Sequence, residues 1–432
     1  MLKEGAEEHA PHPQAVDHYI RGVIYDQQGE ITRAITEYRR ALRFDSTSAS
    51  IYLALAEDYL ALRLFDDAVT QLHLGYGADP HSTGILLYLS DLLLDMNQPD
   101  SAAFFAEKLV EIDPDNKKYR YSFANILKYL RRHDESIEQY QAILDKNPEE
   151  REALGQLSTL YIALSDFQSA LETSRKLYAL YPGDDRICFT LASLLAELDE
   201  HAEADSFFAQ TTEINPDDPR YFTNWAYMHL RIRDFNRAVE ILENSTYHHP
   251  TTAEVWALLG SAHQSAGQDS LALEALDVSL ELDAAQVGPY VTLGIIYEER
   301  GDLDRAIEVY EQALIIEPDD ALLLNNFAYL LAEKDLRLQE ALEYSQKALE
   351  ADPENSSYLD TIGWIYYRLE DFTEAKDYIQ HAHELDAENP VILEHLGDIY
   401  NAMGEKRLAR KTWRKALEFD PDNIAIREKL AR

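Results

Sequence analysis

The side chains best suited to chemistry in this chain are its histidines and its one cysteine. The 14 histidines include three short groups: His9, His12 and His18; His248 and His249; His381 and His383. The first group could bind a metal ion, but none of the three groups has the spacing of the ligands in a zinc site or a metalloprotease. Cys188 has no partner for an intramolecular disulfide and occupies a position where apolar residues recur, which predicts a buried thiol.

Catalytic motifs are missing from the sequence. It contains no glycine-rich phosphate-binding loop, no HExxH and no pair of cysteines. We therefore expect a protein that is not an enzyme and that carries neither a metal ion nor a cofactor.

Charge and hydropathy narrow the classes of partner. The chain carries 39 basic and 79 acidic residues, a formal net charge of −40, so it should repel nucleic acid. An acidic surface that maintains solubility explains the charge; a salt-adapted source is an alternative.

No stretch reaches the roughly 18 apolar residues of a membrane span, which predicts no transmembrane segment. We expect a cytoplasmic protein, or a periplasmic or envelope-associated one if an export signal was removed.

Small residues recur along the chain at a fixed spacing of 34 positions, with one interval of 35. The series is Gly22, Ala56, Ser90, Ala124, Ser158, Ala192, Ala226, Gly260, Gly294, Ala328, Gly363 and Gly397. A second series follows twelve positions later, or thirteen in the one longer copy, and is alanine in every copy except Ser136. A period of this length indicates one structural unit copied many times rather than a single globular core.

Residues 287–320 show what one unit contains. The first half has apolar and small residues at the i, i+3, i+4 and i+7 spacing of a helix: Tyr290, Leu293, Gly294 and Tyr297. The second half is again helical in period: Ala306, Ile307, Tyr310, Ala313 and Leu314. Between them, Gly301 suits a helix C-terminus and Asp302 suits an N-cap. The unit is therefore predicted to be two helices that cross at their small residues.

These residues and offsets resemble the tetratricopeptide repeat, a 34-residue helix–turn–helix unit. The resemblance implies an all-α fold, an α-solenoid in which twelve tandem units stack into a right-handed superhelix with the first helices on its concave face. The chain is similar to bacterial multi-repeat proteins. The predicted units are residues 15–48, 49–82, 83–116, 117–150, 151–184, 185–218, 219–252, 253–286, 287–320, 321–355, 356–389 and 390–423. A flexible lead over residues 1–14 and a short C-terminal cap over residues 424–432 complete the chain. The extra residue of unit 321–355 is expected between its helices.

The resemblance also implies which side chains face the groove: positions 2, 5, 9, 12 and 13 of each unit, with position 6 nearby. We call these the groove positions. In units 4 to 7 they carry basic, aromatic and amide side chains, namely Lys118, Tyr121, Asn125, Lys128, Tyr129, Arg186, Phe189, Arg220, Asn224, Tyr227 and Arg231. Arginine and lysine pair with carboxylates, aromatics provide rigid contact area, and asparagine bonds a peptide backbone. These residues are predicted to bind a partner with an acidic segment, the alternative being independent solvated side chains.

The other groove positions are acidic and apolar in units 1 to 3 and mixed in units 8 to 12. The first zone includes Asp26, Glu57, Asp91 and Asp95, and the last includes Asn325, Tyr329, Asp360, Trp364, Glu394 and Asp398. The carboxylate clamp of some tetratricopeptide proteins is incomplete here. Asn125 matches its asparagine, but Tyr121 stands where that clamp has lysine.

A second basic group lies near the C-terminus, on the last second helix: Lys406, Arg407, Arg410, Lys411, Arg414 and Lys415. It could dock an acidic partner, an anionic membrane surface or another copy of the chain, so self-association through the array ends is an option. Cations near a helix C-terminus are favourable without any partner, which explains the last few.

Two hypotheses of function follow. The first is a non-enzymatic protein–protein interaction scaffold that binds a partner peptide or segment in the concave groove. The second is an accessory subunit of an enzyme or cell-envelope assembly complex, docked through its outer face and the basic C-terminal end.

Overall fold

Helices account for all of the regular secondary structure in residues 12–431, the part of the chain that the computed structural model describes. There are 25 of them in this range, and it contains no strand. The chain divides into two compact regions, Met1–Ile214 and Asn215–Arg432. From here on these two regions are called the first and second unit, and the segments of 34 or 35 residues are called repeats.

The first unit contains six antiparallel helix pairs, each made of a first and a second helix. They are α1 (Pro13–Gln27), α2 (Ile31–Phe44), α3 (Ala49–Ala61), α4 (Phe65–Ala78), α5 (Thr83–Asp95), α6 (Pro99–Ile112), α7 (Lys117–Tyr129), α8 (His133–Lys146), α9 (Arg151–Ala163), α10 (Phe167–Leu180), α11 (Asp185–Glu197) and α12 (His201–Ile214).

The second unit continues the pattern with six further pairs and one final short helix. They are α13 (Pro219–Arg231), α14 (Phe235–His248), α15 (Ala253–Ser265), α16 (Asp269–Leu282), α17 (Val287–Glu299), α18 (Leu303–Ile316), α19 (Ala321–Glu333), α20 (Leu338–Ala351), α21 (Ser356–Arg368), α22 (Phe372–Leu385), α23 (Pro390–Ala402), α24 (Lys406–Phe419) and α25 (Ile424–Ala431). From α3 to α23, each first helix begins where a predicted repeat begins.

The small residues recur because the two helices of a pair touch there. A Cβ atom added to Gly294 would lie 2.5 Å from Tyr310, and one added to Gly260 would lie 2.6 Å from Leu276. Ala306, on the facing helix, is fully buried. Larger side chains at these positions would push the backbones apart, so the period in the sequence reflects helix–helix contact.

Each helix pair turns through at least one residue in the left-handed conformation. Only four of these residues are glycines, for example Gly301 at φ 72°, whereas Arg131 adopts φ 58° and Glu370 adopts φ 62°. The next backbone N–H then bonds to the end of the first helix, as Asp302 N does to Tyr297 O at 2.8 Å. The turn therefore closes the first helix with a recurrent hydrogen bond even where the residue is not glycine.

The 35-residue repeat places its extra residue between its helices, as predicted. Four residues separate α19 from α20, and two of them, Asp335 and Arg337, are left-handed at φ 53° and φ 43°. Neither helix is interrupted, since the loop accommodates the insertion.

The two ends differ in part from the sequence predictions. Residues 1–11 of the predicted lead lie outside the described residues, but Pro13 and Gln14 belong to α1. In α25, Ile426 is fully buried and Leu430 packs against the same cluster, whereas Ile424 is 71% exposed. The cap therefore uses two of the three apolar residues expected of it.

Candidate functional site

A cavity of about 640 Å³ opens in the first unit beside α9, α10 and α11. Its lining includes residues at the groove positions of two successive repeats: Glu152, Gln156, Thr159, Ile162, Arg186 and Thr190. Gly155 of α9 also lines it, and a Cβ atom added there would meet no atom within 4 Å. The cavity therefore has space beside a helix surface and polar groups around it, as a binding site needs.

The charges around this cavity are partly neutralised by internal ion pairs. Glu150 Oε1 lies 3.1 Å from Lys117 Nζ, and Asp184 Oδ2 lies 2.5 Å from Arg151 Nη2. Arg186 is exposed, and only its backbone N–H bonds to Asp184. Its guanidinium makes no ion pair with any residue in 12–431, so it is available to pair with a ligand.

The other predicted groove residues of the first unit have local partners. Lys128 Nζ donates to Gln156 Oε1 at 2.9 Å, which brings it to the cavity. Asn125 Oδ1 accepts from the Tyr140 hydroxyl at 3.0 Å. Tyr129 is 62% exposed, and its hydroxyl donates to Asn97 at 3.1 Å.

The three remaining predicted residues of this unit vary in exposure. Lys118 is exposed, and Phe189 is half-buried beside Phe208. Tyr121 is half-buried with its hydroxyl unbonded, and burial raises the pKa of that hydroxyl. Of the seven groove residues predicted in the first unit, the exposed ones are thus Lys118, Asn125, Tyr129 and Arg186.

Four predicted groove residues lie in the second unit. Arg220 is exposed but held by Asp218, with 2.5 Å between Nη2 and Oδ2, and Asn224 donates to the Arg220 carbonyl at 2.8 Å. Tyr227 is 58% exposed and lines a second cavity, of about 710 Å³. Arg231 is exposed at the end of α13. Arg220 is therefore partly neutralised. Of these four residues, Tyr227 is the one that lines this cavity.

The basic residues of α24 lie on its outer side. Lys406, Arg407, Arg410, Lys411 and Arg414 are exposed, and none forms an ion pair within the described part of the chain. Lys415 is half-buried and donates to the Ala387 carbonyl at 3.2 Å. Five cations are thus uncompensated on one helix of an acidic protein.

Sequence reasoning missed a buried polar network in the second unit. His395 and Asp360 are each only 6% exposed and lie 2.9 Å apart, between Nδ1 and Oδ2. The Trp364 ring stacks on His395 with 4.1 Å between centroids, and its Nε1 donates to Glu333 at 2.6 Å. Asp360 and Trp364 were expected at the groove surface. In the structure both side chains are buried. The sequence pattern that could have indicated the pair is an aspartate at position 5 of one repeat and a histidine at position 6 of the next.

Two histidines of the first group bond to neighbouring residues. His12 Nδ1 accepts from the Gln14 N–H at 3.3 Å and caps α1, and His18 Nδ1 lies 2.7 Å from Glu37. His9 lies outside the described residues. Within residues 12–431, no group of three potential ligands converges. Cys188 is buried, and burial raises the pKa of its thiol to about 11.

Among the described helices, none has the length and apolar character needed to cross a bilayer.

The described helices form successive antiparallel pairs that touch at small residues, and each unit has a cavity lined by residues at groove positions. These features define a helical repeat protein of the α-solenoid class. Family models described as tetratricopeptide repeat or TPR repeat match residues 22–62, 85–116, 121–185, 161–223, 288–320, 356–389 and 392–423. The chain belongs to the tetratricopeptide repeat family.

Curated relatives share this repeat at low identity. A TPR repeat-containing protein of Pseudomonas aeruginosa is 26% identical over 185 residues, which are 43% of this chain and 31% of that protein. The BBSome complex member BBS4 of Bos taurus is 23% identical over 346 residues, 78% of this chain and 60% of that protein. The chain thus spans 31% and 60% of these two relatives.

Solved structures share the fold. A chain from the APC/C hetero-tetramer Cut9–Hcn1 superposes with a TM-score of 0.50 at 15% identity, covering 97% of this chain and 96% of that one. A chain from Naa15/Naa10 bound to HypK-THB gives 0.50 at 14% identity, covering 93% and 68%. The fold is consistent with a protein–protein interaction scaffold.

Proposed function

We propose that this protein is a non-enzymatic scaffold that binds a peptide segment of a partner protein in its groove. The observation that carries the proposal is the cavity beside α9 and α11, where Gly155 leaves space and Arg186 has an unpaired guanidinium. An extended segment with a carboxylate suits both, because arginine binds carboxylates in a bidentate manner. Lys128 lies next to the cavity through Gln156 and adds a second cation.

The test is a peptide library selected on the full-length protein, followed by titration of the selected peptide against single variants. Gly155→Leu fills the cavity, and Arg186→Glu reverses the charge. Gly77→Leu is the matched control, because Gly77 is also helical and a Cβ atom there also meets nothing within 4 Å. Both groove variants should weaken binding at least tenfold and the control should not. Equal affinity for Gly155→Leu, or a selection that yields no peptide, would contradict the proposal.

A second candidate function is docking of the chain, as an accessory subunit of an enzyme or cell-envelope assembly complex, through α24. The five exposed cations of that helix favour it, since a charged patch without internal partners attracts an oppositely charged surface. Lys411→Glu with Arg414→Glu should abolish docking to an acidic partner complex and leave groove-peptide affinity unchanged. Crosslinks confined to the groove, with none at α24, would count against it.

A further inference from the structure

The second cavity, of about 710 Å³, opens in the second unit beside α15, α17 and α19. Its volume lies within the range of about 300–1,000 Å³ that ligand-binding cavities occupy. Its lining includes groove positions of three successive repeats: Glu254, Ala257, Gly288, Val291 and Leu322. A Cβ atom added to Gly288 would meet no atom within 4 Å, so this glycine leaves open space at the surface of α17. Glu254, Gly288 and Leu322 are exposed, and the cavity is therefore open to a ligand from solvent.

The floor of this cavity is apolar. Ala257 and Val291 are half-buried, whereas Leu322, a large apolar side chain, is 55% exposed. The hydroxyls of Ser261 and Thr292 also line the cavity, and each donates to a carbonyl of its own helix at 3.2 Å. An apolar side chain placed here would remove the surface of Leu322 from water without leaving either hydroxyl unsatisfied.

The charged side chains that line the cavity are all carboxylates. They are Glu254, Glu317 and Asp320, and no lysine, arginine or histidine is among the described residues of the lining. Asp320 Oδ1 accepts from the Leu323 N–H at 2.7 Å and caps α19. Glu254 and Glu317 are exposed, and neither forms an ion pair within residues 12–431. Two carboxylates beside an apolar floor thus lack a cation, whereas the first cavity has the unpaired cation of Arg186.

We propose that this second cavity binds a peptide segment of a partner protein in which an apolar residue adjoins a basic one. The apolar side chain fills the space at Gly288 and packs on Leu322. The basic side chain pairs with Glu254 or Glu317, and arginine suits them best because its fork of N–H donors matches both oxygens of a carboxylate. The ring of Tyr227, which is 58% exposed and lines the cavity, offers a face to the same cation.

An extended peptide fits this cavity because its lining repeats along the chain. Glu254, Gly288 and Leu322 hold position 2 of three successive repeats, so a carboxylate, an open space and an apolar side chain follow one another. Neighbouring side chains of one peptide can contact all three. The site does not rest on the function proposed for the cavity at Arg186, since it involves other helices and the opposite charge.

The experiment titrates the full-length protein with a labelled peptide of alternating arginine and leucine, and with the same peptide carrying neutral citrulline for arginine. Salt at about 0.15 M screens the overall charge of the protein. The wild type should bind the arginine peptide at least tenfold more tightly than the citrulline peptide. Gly288→Leu fills the cavity without a change of charge and should weaken binding of the arginine peptide at least tenfold. Glu254→Gln with Glu317→Gln should remove most of the preference for arginine.

Each change has a matched control. Gly77→Leu matches Gly288→Leu, because Gly77 is also an exposed helical glycine where a Cβ atom meets nothing within 4 Å. Glu274→Gln with Glu281→Gln on α16 matches the change of charge, because both glutamates are exposed in the same repeat as Glu254. Both controls should bind as the wild type does, and circular dichroism checks that every variant folds.

Three results would overturn the proposal. The first is equal binding of the two peptides, or wild-type affinity in Gly288→Leu. The second is an equal loss in the Glu274 and Glu281 control, because the acidic surface as a whole would then attract the peptide. The third is self-association of the free wild type, measured by light scattering, that Gly288→Leu abolishes, because the occupant would then be a second copy.

Discussion

Nδ1 of His395 lies 2.9 Å from Oδ2 of Asp360, and the Trp364 ring covers the imidazole. The pair joins α21 to α23 in successive helix pairs, and both of its side chains are more than nine-tenths buried. Burial alone would lower the pKa of His395, but the charge and hydrogen bond of Asp360 outweigh it and raise the pKa. Asp398 and Glu333 act in the same direction.

This pair predicts a stability that decreases at alkaline pH. A histidine whose pKa is higher in the folded state stabilises fully below its unfolded pKa of about 6.5, and that contribution is lost as the pH rises through the folded value. Urea unfolding, followed by tryptophan fluorescence, should show this loss in the wild type and not in His395→Gln. A wild-type profile that is the same as that of the variant would contradict it.

Removing one partner of the pair should destabilise the second unit strongly. His395→Ala leaves the Asp360 carboxylate buried without a cation, and such changes cost about 3–5 kcal/mol. His381→Ala is the control, since His381 is exposed on α22. Denaturant midpoints at pH 6 measure both, and a loss below about 1 kcal/mol for His395→Ala would show that the pair contributes little.

Alanine should have opposite effects at two helical glycines. At Gly294 the new Cβ would collide with Tyr310, and overpacking of this kind costs about 1–3 kcal/mol. At Gly155 the Cβ meets nothing, so the better helix propensity of alanine should stabilise by up to about 1 kcal/mol. Thermal unfolding of the two variants compares them directly, and destabilisation of both to the same degree would refute the close-contact argument.

The left-handed turns predict a simple stabilising change. Arg131 holds φ 58°, a conformation that costs a non-glycine residue roughly 1–2 kcal/mol. Arg131→Gly should therefore stabilise the first unit, and Gly301→Ala should destabilise the second, where φ is 72°. Unfolding midpoints measure both, and a destabilised Arg131→Gly would mean that the greater freedom of glycine in the unfolded chain prevails.

Removal of residues 424–432 should promote self-association. Ile426 is fully buried, and Lys429 Nζ lies 2.6 Å from Glu394 and 2.7 Å from Asp398. The truncation exposes apolar surface on α23 and α24 and leaves two carboxylates without their cation. Light scattering checks the outcome, with Ile424→Ala as the control because that side chain is exposed. A truncated protein that remains monomeric would show that the cap is dispensable.

Asp58 predicts a second pH effect, in the first unit. Its folded pKa of about 8 is above the usual value, so the folded state binds a proton more tightly than the unfolded chain between about pH 4 and pH 8. Stability should therefore fall as the pH rises through that range, and Asp58→Asn should remove the fall. Thermal melts between pH 5 and pH 9 measure it, and a flat wild-type profile would contradict it.

Much of the fold could be predicted from spacing alone. The recurrence of small residues such as Gly294 and Ala306 predicted helix pairs, because only small side chains allow two backbones to touch. The turn position was harder to interpret. Arg131 and Glu370 are not residues that favour left-handed backbone, and the closing hydrogen bond holds them in it.

The site residues remain a prediction, because the spacing shows which face of a helix a residue occupies but not what contacts it. Arg220 was expected to bind a partner, yet Asp218 two residues earlier holds its guanidinium. His395 was not a candidate, although its partner Asp360 was.

The sequence by itself therefore determined the repeat, the family, the helical composition and the excess of acidic charge. These features depend on local spacing and composition, which each repeat carries within itself. Only the tertiary structure decided which charges remain available for a ligand. Arg186 is unpaired, while Arg220 is paired with Asp218. Neutralisation depends on the distances between charged groups in the folded chain, and the one-dimensional pattern does not contain those distances.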